Sequence, residues 1–140
     1  IGRWYLSEES LKTMGKNPKM ISFLLTVSIL GVALVESAAI YALIVAFQIL
    51  DAEVLSGVAA IGAGLAIGLA GLGAGVGEGL LIKGAIKGIN QNPEQKGKVM
   101  AFMVLFVALV EVVAIYGMII AFKVINDASK VAEEVTKVIG

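Results

Sequence analysis

Three long apolar runs dominate the chain, and each is interrupted by a single charge. Ile21–Phe47 carries only Glu36, Val54–Ile82 only Glu78, and Val99–Phe122 only Glu111. A spanning helix needs ~20 predominantly apolar residues, so each run predicts a transmembrane helix. Ile1–Met14 reads differently. Gly2, Trp4, Tyr5 and Leu6 give way to Ser7, Glu8, Glu9, Ser10 and Lys12, a stretch too short and too mixed to span. A soluble core of this size would not supply three such runs, so the predicted class is all-α and membrane-embedded.

The pattern also repeats. LGVALVESAAIYALIVAF at Leu30–Phe47 and LFVALVEVVAIYGMIIAF at Leu105–Phe122 agree at 12 of 18 positions, 75 residues apart. At the same offset Asn17-Pro18 aligns with Asn92-Pro93, and Glu36 with Glu111. The repeated unit is therefore a helix, an Asn-Pro turn and a second helix. The expected organisation is a first hairpin over 1–50, a second over 51–125, and a polar, amphipathic tail over 126–140. The partner of residues 54–75 would precede residue 1, so the first inner helix is expected to be incomplete, with roughly 20 residues of a spanning helix upstream. The complete unit would be two transmembrane hairpins, four helices.

Composition narrows the chemistry. The chain is 59% hydrophobic and 16% charged, has zero net charge, and contains neither cysteine nor histidine. Disulfides, thiolate metal sites and imidazole bases are thereby excluded. No basic patch with interleaved aromatics suggests nucleic acid. Lysines 12, 16 and 19 flank the first Asn-Pro turn and lysines 83, 87, 96 and 98 the second, whereas Leu50–Glu53 carries only Asp51 and Glu53. Basic loops stay cytoplasmic, which predicts a multi-pass protein with both Asn-Pro turns inside. The tail mixes both signs, Lys130 and Lys137 against Asp127, Glu133 and Glu134, with Val131, Val135 and Val138 on one helical face, as in a helix extension or an interfacial helix.

Residues 71–79 read GLGAGVGEG, following Gly62, Gly64 and Gly68. A dinucleotide-type loop needs G-x-G-x-x-G between a strand and a helix, and Glu78 stands where the third glycine would be. The row predicts close helix packing instead, because small residues let backbones approach in lipid. Gly71, Gly75 and Gly79 form G-x-x-x-G pairs on one face.

Glu78 lies 15 residues before Pro93 and Glu111 18 after it. At ~1.5 Å per residue both sit ~22–27 Å from the turn, so folding the hairpin brings them to one depth. Two adjacent carboxylates in an apolar layer cannot both stay charged without a proton or a cation between them. An ionisable group at that depth is by default functional. In the first repeat the position equivalent to Glu78 is Arg3, facing Glu36. Guanidinium does not release its proton, so this site reads as silenced by a fixed ion pair. Glu36 is followed by Ser37, whose hydroxyl can coordinate a cation, and Glu111 by Val112, which cannot. Tyr41 and Tyr116 follow at matching positions; a tyrosine hydroxyl can bond a nearby carboxylate, and a tyrosine at the membrane interface is the alternative.

The glycine-row helix, the Asn-Pro turn and a second helix with V-E-x-x-x-I-Y together resemble the c subunit, or proteolipid, of rotary ATP synthases and ATPases. The duplicated two-hairpin arrangement looks like the V-type form, although the sequence around the glutamates is closer to F-type hairpins. The resemblance implies a non-catalytic subunit of a rotor ring, with glycine-rich helices inside and carboxylate helices outside. It implies a homo-oligomeric ring, with single-hairpin c subunits as conceivable co-members, set in the lipid bilayer against a stator a subunit and the central stalk. No nucleotide would bind here. In sodium-type members one hairpin supplies two acidic or amide side chains, and its neighbour a carbonyl and a hydroxyl. Carried onto this chain, these are Glu78 and Glu111 with the Leu34 carbonyl and the Ser37 hydroxyl, and Tyr41 able to bond the carboxylate. Na+ is then the expected ion and H+ the alternative, because Glu78 replaces the commoner Gln. Two rivals from other classes are a small four-helix multidrug transporter and a structural pore proteolipid.

Overall fold

The computed structural model describes residues 1–53 and 55–139. Val54, where the second predicted run begins, and Gly140, the last residue of the tail, lie outside the described residues. Four α-helices account for nearly everything described: α1 (Gly2–Lys16), α2 (Ile21–Asp51), α3 (Gly57–Gln91) and α4 (Lys96–Ile139). Three segments, Pro18–Asp51, Gly57–Gln91 and Pro93–Ile139, are long and apolar enough to cross a membrane.

The two Asn-Pro turns adopt one conformation. Asn17 has φ −135° and ψ 77°, and Asn92 has φ −138° and ψ 80°. Proline's ring disfavours the helical conformation for the residue before it, which ends α1 and α3 at these asparagines. Each proline then opens a short 3₁₀ turn, Pro18–Met20 or Pro93–Gln95, where its fixed φ is tolerated and its missing N–H is not needed. The Met20 N–H donates to the Asn17 carbonyl and the Gln95 N–H to the Asn92 carbonyl, at 3.0 and 3.1 Å. At the other end, the Ser56 hydroxyl caps α3 by accepting the Ala59 N–H at 3.2 Å.

The two hairpins lie side by side and point the same way. Gly2 of α1 packs into α3 between Gly75 and Gly79, so these helices run parallel and in the register of the repeat. A Cβ at Gly79 would strike the Gly2 backbone, and one at Gly2 the Gly75 carbonyl. The glycine row serves several neighbours: Gly79 meets α1, Gly71 meets Ala38 of α2, and Gly77 faces Val110 of α4. A Cβ at Gly64, Gly68 or Gly73 would meet nothing within 4 Å beyond its own helix among the described residues.

Packing falls into three layers. Leu6, Leu24, Val27, Ile82, Ile86, Ile89, Met103 and Val107 fill the layer toward the Asn-Pro turns. Val45, Ala63, Ile67, Ala121 and Ile125 fill the opposite one. Between them the buried apolar side chains are small, Ala38, Ala74 and Ala114, so the helices close tightly at the level of the carboxylates. Much of the remaining apolar surface points outward, including Ile40, Leu43 and Phe47 on α2 and Leu105, Leu109 and Ile120 on α4. Helix α4 runs unbroken for 44 residues. At ~1.5 Å per residue it reaches ~66 Å, about twice a bilayer's hydrocarbon core. The tail is thus a continuation of α4, with Lys123 and Asp127 paired at 2.9 Å where the apolar run ends.

Candidate functional site

Four side chains from three helices meet at the alanine layer. Glu78 comes from α3 and is fully buried, at 0% exposure. Glu111 of α4 is its neighbour, and Tyr41 of α2 lies beside both carboxylates. Ser37, one α-helical turn before Tyr41, closes the group. Its Oγ lies 2.6 Å from the Leu34 carbonyl oxygen and 2.7 Å from Glu111 Oε2.

Those two distances carry a proton count. A hydroxyl has one hydrogen, while a carbonyl oxygen and an ionised carboxylate are both acceptors only. If Ser37 donates to Glu111, its lone pairs face the Leu34 carbonyl; if it donates to Leu34, they face the carboxylate. The cluster is complete only when Glu111 brings its own proton or a cation sits among these oxygens. Glu78 Oε1, Glu78 Oε2 and Glu111 Oε1 are also buried without a hydrogen-bond partner. Burying ionised oxygens unpaired is strongly unfavourable. Every donor atom here is oxygen, the preference of a hard cation or of a proton. Among the described residues no group of three or more His, Cys, Asp or Glu side chains could hold a metal ion, so two carboxylates are the whole acidic set.

The equivalent position in the first hairpin is built differently. Arg3 Nη1 lies 2.9 Å from Glu36 Oε2, and their side chains are 61% and 41% exposed in the single chain. They line a groove of about 330 Å³ floored by Ala38, Ala42, Gly68, Gly71 and Gly75. Tyr116 and Val113 of α4 are exposed on the opposite hairpin, with Val112 beside them. The structure thus brings Ser37, Leu34, Tyr41, Glu78 and Glu111 together, and keeps Arg3 and Glu36 apart from them as a pair of their own. The alanine layer, Ala38, Ala74 and Ala114, is what sequence reading missed. Its signal was weak, because alanines are scattered through every apolar run.

A pair of helical hairpins of membrane-spanning length, with a carboxylate pair buried mid-span among hydroxyl and carbonyl oxygens, defines a class: an ion-carrying proteolipid. The family model for the ATP synthase C subunit matches residues 1–49 and 61–123. The chain belongs to that family. It is a non-catalytic membrane component of the ion-translocating rotor. Similar proteins include the ATP synthase c subunit of Aquifex aeolicus, 50% identical over 72 residues, covering 51% of this chain and 72% of the relative. That of Carboxydothermus hydrogenoformans is 37% identical over 77 residues, covering 55% and 94%. That of Clostridium botulinum strain Hall is 46% identical over 67 residues, covering 48% and 84%. Each relative accounts for about half of this chain, and the family match falls in two stretches, as a duplicated hairpin requires.

Proposed function

We propose that the chain carries one Na+ per two hairpins, at the site formed by Glu78, Glu111, the Ser37 hydroxyl and the Leu34 carbonyl, with Tyr41 restraining the carboxylate. The carrying observation is the short Leu34–Ser37–Glu111 chain of oxygens beside three buried, unpartnered carboxylate oxygens. With both acids ionised the site has a double negative charge. One Na+ and one retained proton bring it to zero, the state that can face lipid. H+ alone is the second reading, favoured by the same spare carboxylate at Glu78. Residues 1–50 and 51–125 act as the two hairpins, and 126–140 as a polar, amphipathic tail.

In this reading the Arg3–Glu36 pair is silent. A guanidinium fills the carboxylate's lone pairs with charge-assisted hydrogen bonds and repels a second cation. Val112, lacking a hydroxyl, would face this silent position in the next copy. Such copies close into a ring, in the cytoplasmic membrane of a prokaryote with the Asn-Pro turns inside. Those turns meet the central stalk, and a stator a subunit displaces the ion from Glu111 during rotation. ATP chemistry resides on other subunits.

Reaction of a hydrophobic carbodiimide with Glu111 tests the ion. The reagent needs a protonated, accessible carboxyl, so added sodium should slow labelling at fixed pH and ionic strength. Labelling indifferent to sodium across the pH range points to protons. Native mass spectrometry in mild detergent checks assembly: a multiple of the chain mass is expected, and a monomeric particle contradicts the ring.

A further inference from the structure

Below the carboxylate layer, toward the Asn-Pro turns, α1 and α3 face each other with opposite charge. Lys83 Nζ lies 3.9 Å from Glu8 Oε2 and 5.4 Å from the centre of the Tyr5 ring. Lys87 Nζ lies 3.9 Å from Glu9 Oε2. Glu8 also pairs with Lys12 on its own helix. Glu8 and Lys83 are separated by the repeat length of 75 residues, so the contact joins equivalent positions of the two hairpins.

A contact between equivalent positions propagates. If copies of the chain continue the step that relates the first hairpin to the second, α3 of one copy meets α1 of the next at the same register. Lys83 then faces a second Glu8, and each Glu8 lies between two lysines. The layer alternates in sign around the ring. Any step placing α3 against α3 sets Lys83 against Lys83, and α1 against α1 sets Glu8 against Glu8. Partly desolvated like charges at an interface are strongly disfavoured. The intrachain contact leaves room for the second partner: the Lys83, Glu8 and Lys87 side chains remain 24%, 37% and 55% exposed. The other equivalent positions do not carry this alternation, since Lys12 matches Lys87 and Gly84 matches Glu9.

We propose that Glu8 and Lys83 form an assembly code between copies of this chain, in which the α3 face of one copy accepts only the α1 face of the next. The code enforces strict alternation of silent and ion-binding hairpins. It rests on the rotor-ring reading and adds to it the surface by which copies choose each other.

The test uses the full chain in four forms: wild type, Glu8→Lys, Lys83→Glu and the double exchange, with ring fraction read by native mass spectrometry in mild detergent. Wild type and the double exchange should form rings, and each single variant should lose at least about tenfold of its ring fraction. The decisive arm is co-expression of the two single variants under different tags. Within each of those chains the pair is like-charged, but between alternating chains it is opposite, so mixed rings of equal composition should return. Recovery in the double exchange without recovery in the mixture makes the contact purely intrachain and overturns the inference. So do single variants that assemble as well as wild type, which would leave the ring itself standing. A wild-type chain that forms no ring removes the rotor reading and this inference together.

Discussion

Glu111→Gln is expected to abolish ion-coupled activity of the assembled rotary complex, while Glu36→Gln leaves turnover and ion stoichiometry nearly unchanged. The two residues are equivalent in the repeat, and both lie in apolar runs. Their surroundings separate them. Glu111 touches Ser37 at 2.7 Å and neighbours Glu78, so in the proposed site its charge attracts the cargo. Glutamine cannot supply that charge, and a charge-assisted contact of ~1.5–3 kcal/mol is lost for each oxygen that held the ion. A fall in sodium affinity of at least ~100-fold follows from two such contacts. Glu36 is already occupied by Arg3 at 2.9 Å, and glutamine there can still accept from the guanidinium. The measurements are sodium-stimulated turnover of the reconstituted complex and ions bound per chain. Equal damage from Glu36→Gln would overturn the silent-site assignment, as would two ions per chain.

Gly117→Ala is expected to destabilise the second hairpin by ~1–3 kcal/mol through overpacking, without any direct contact with the ion. A Cβ at Gly117 would meet the Ala70 Cβ at 2.5 Å, the Ala66 carbonyl oxygen at 2.8 Å and the Ile67 Cα at 3.4 Å. None of these is the far end of a flexible side chain, so α3 and α4 must separate. The equivalent residue of the first repeat is Ala42, which lines the open groove and meets no such obstacle. Gly97→Ala is the control, because a Cβ there has no neighbour within 4 Å. The comparison is made by unfolding each variant in a graded denaturing detergent. If Gly117→Ala unfolds with the wild type, the close α3–α4 approach is not a stability determinant.

The duplicated apolar runs needed no coordinates. Their length predicts spanning helices, the 75-residue offset predicts two like hairpins, and proline after asparagine predicts where each turns. Hydrophobic periodicity and proline sterics are local, so a linear reading recovers them. Counting residues from the turn also predicts that Glu78 and Glu111 share a depth, since helix rise is constant. The same count sets Arg3 level with Glu36. Depth is one-dimensional information, and the sequence carries it.

Lateral arrangement is not. Residue spacing does not say that Ser37 approaches Glu111 rather than Glu36, its own neighbour in sequence; only the resemblance to sodium-type proteolipids implied that pairing. That choice arises because Gly2 seats between Gly75 and Gly79, holding α1 parallel to α3 and swinging α2 against α4. The alanine layer of Ala38, Ala74 and Ala114 likewise has no sequence signature, yet it brings three helices close enough for four side chains to meet. Glu8 and Lys83 were visible as charges, but their pairing depends on the parallel register of two helices far apart in the chain. Sequence by itself determined the membrane class, the repeat, the turns and the depth of each carboxylate, because these follow from composition, steric rules and helix rise. Tertiary structure decided which charges face one another and how closely the oxygens implied by the resemblance approach Glu111, because only the packing of small residues between helices fixes their rotation and spacing.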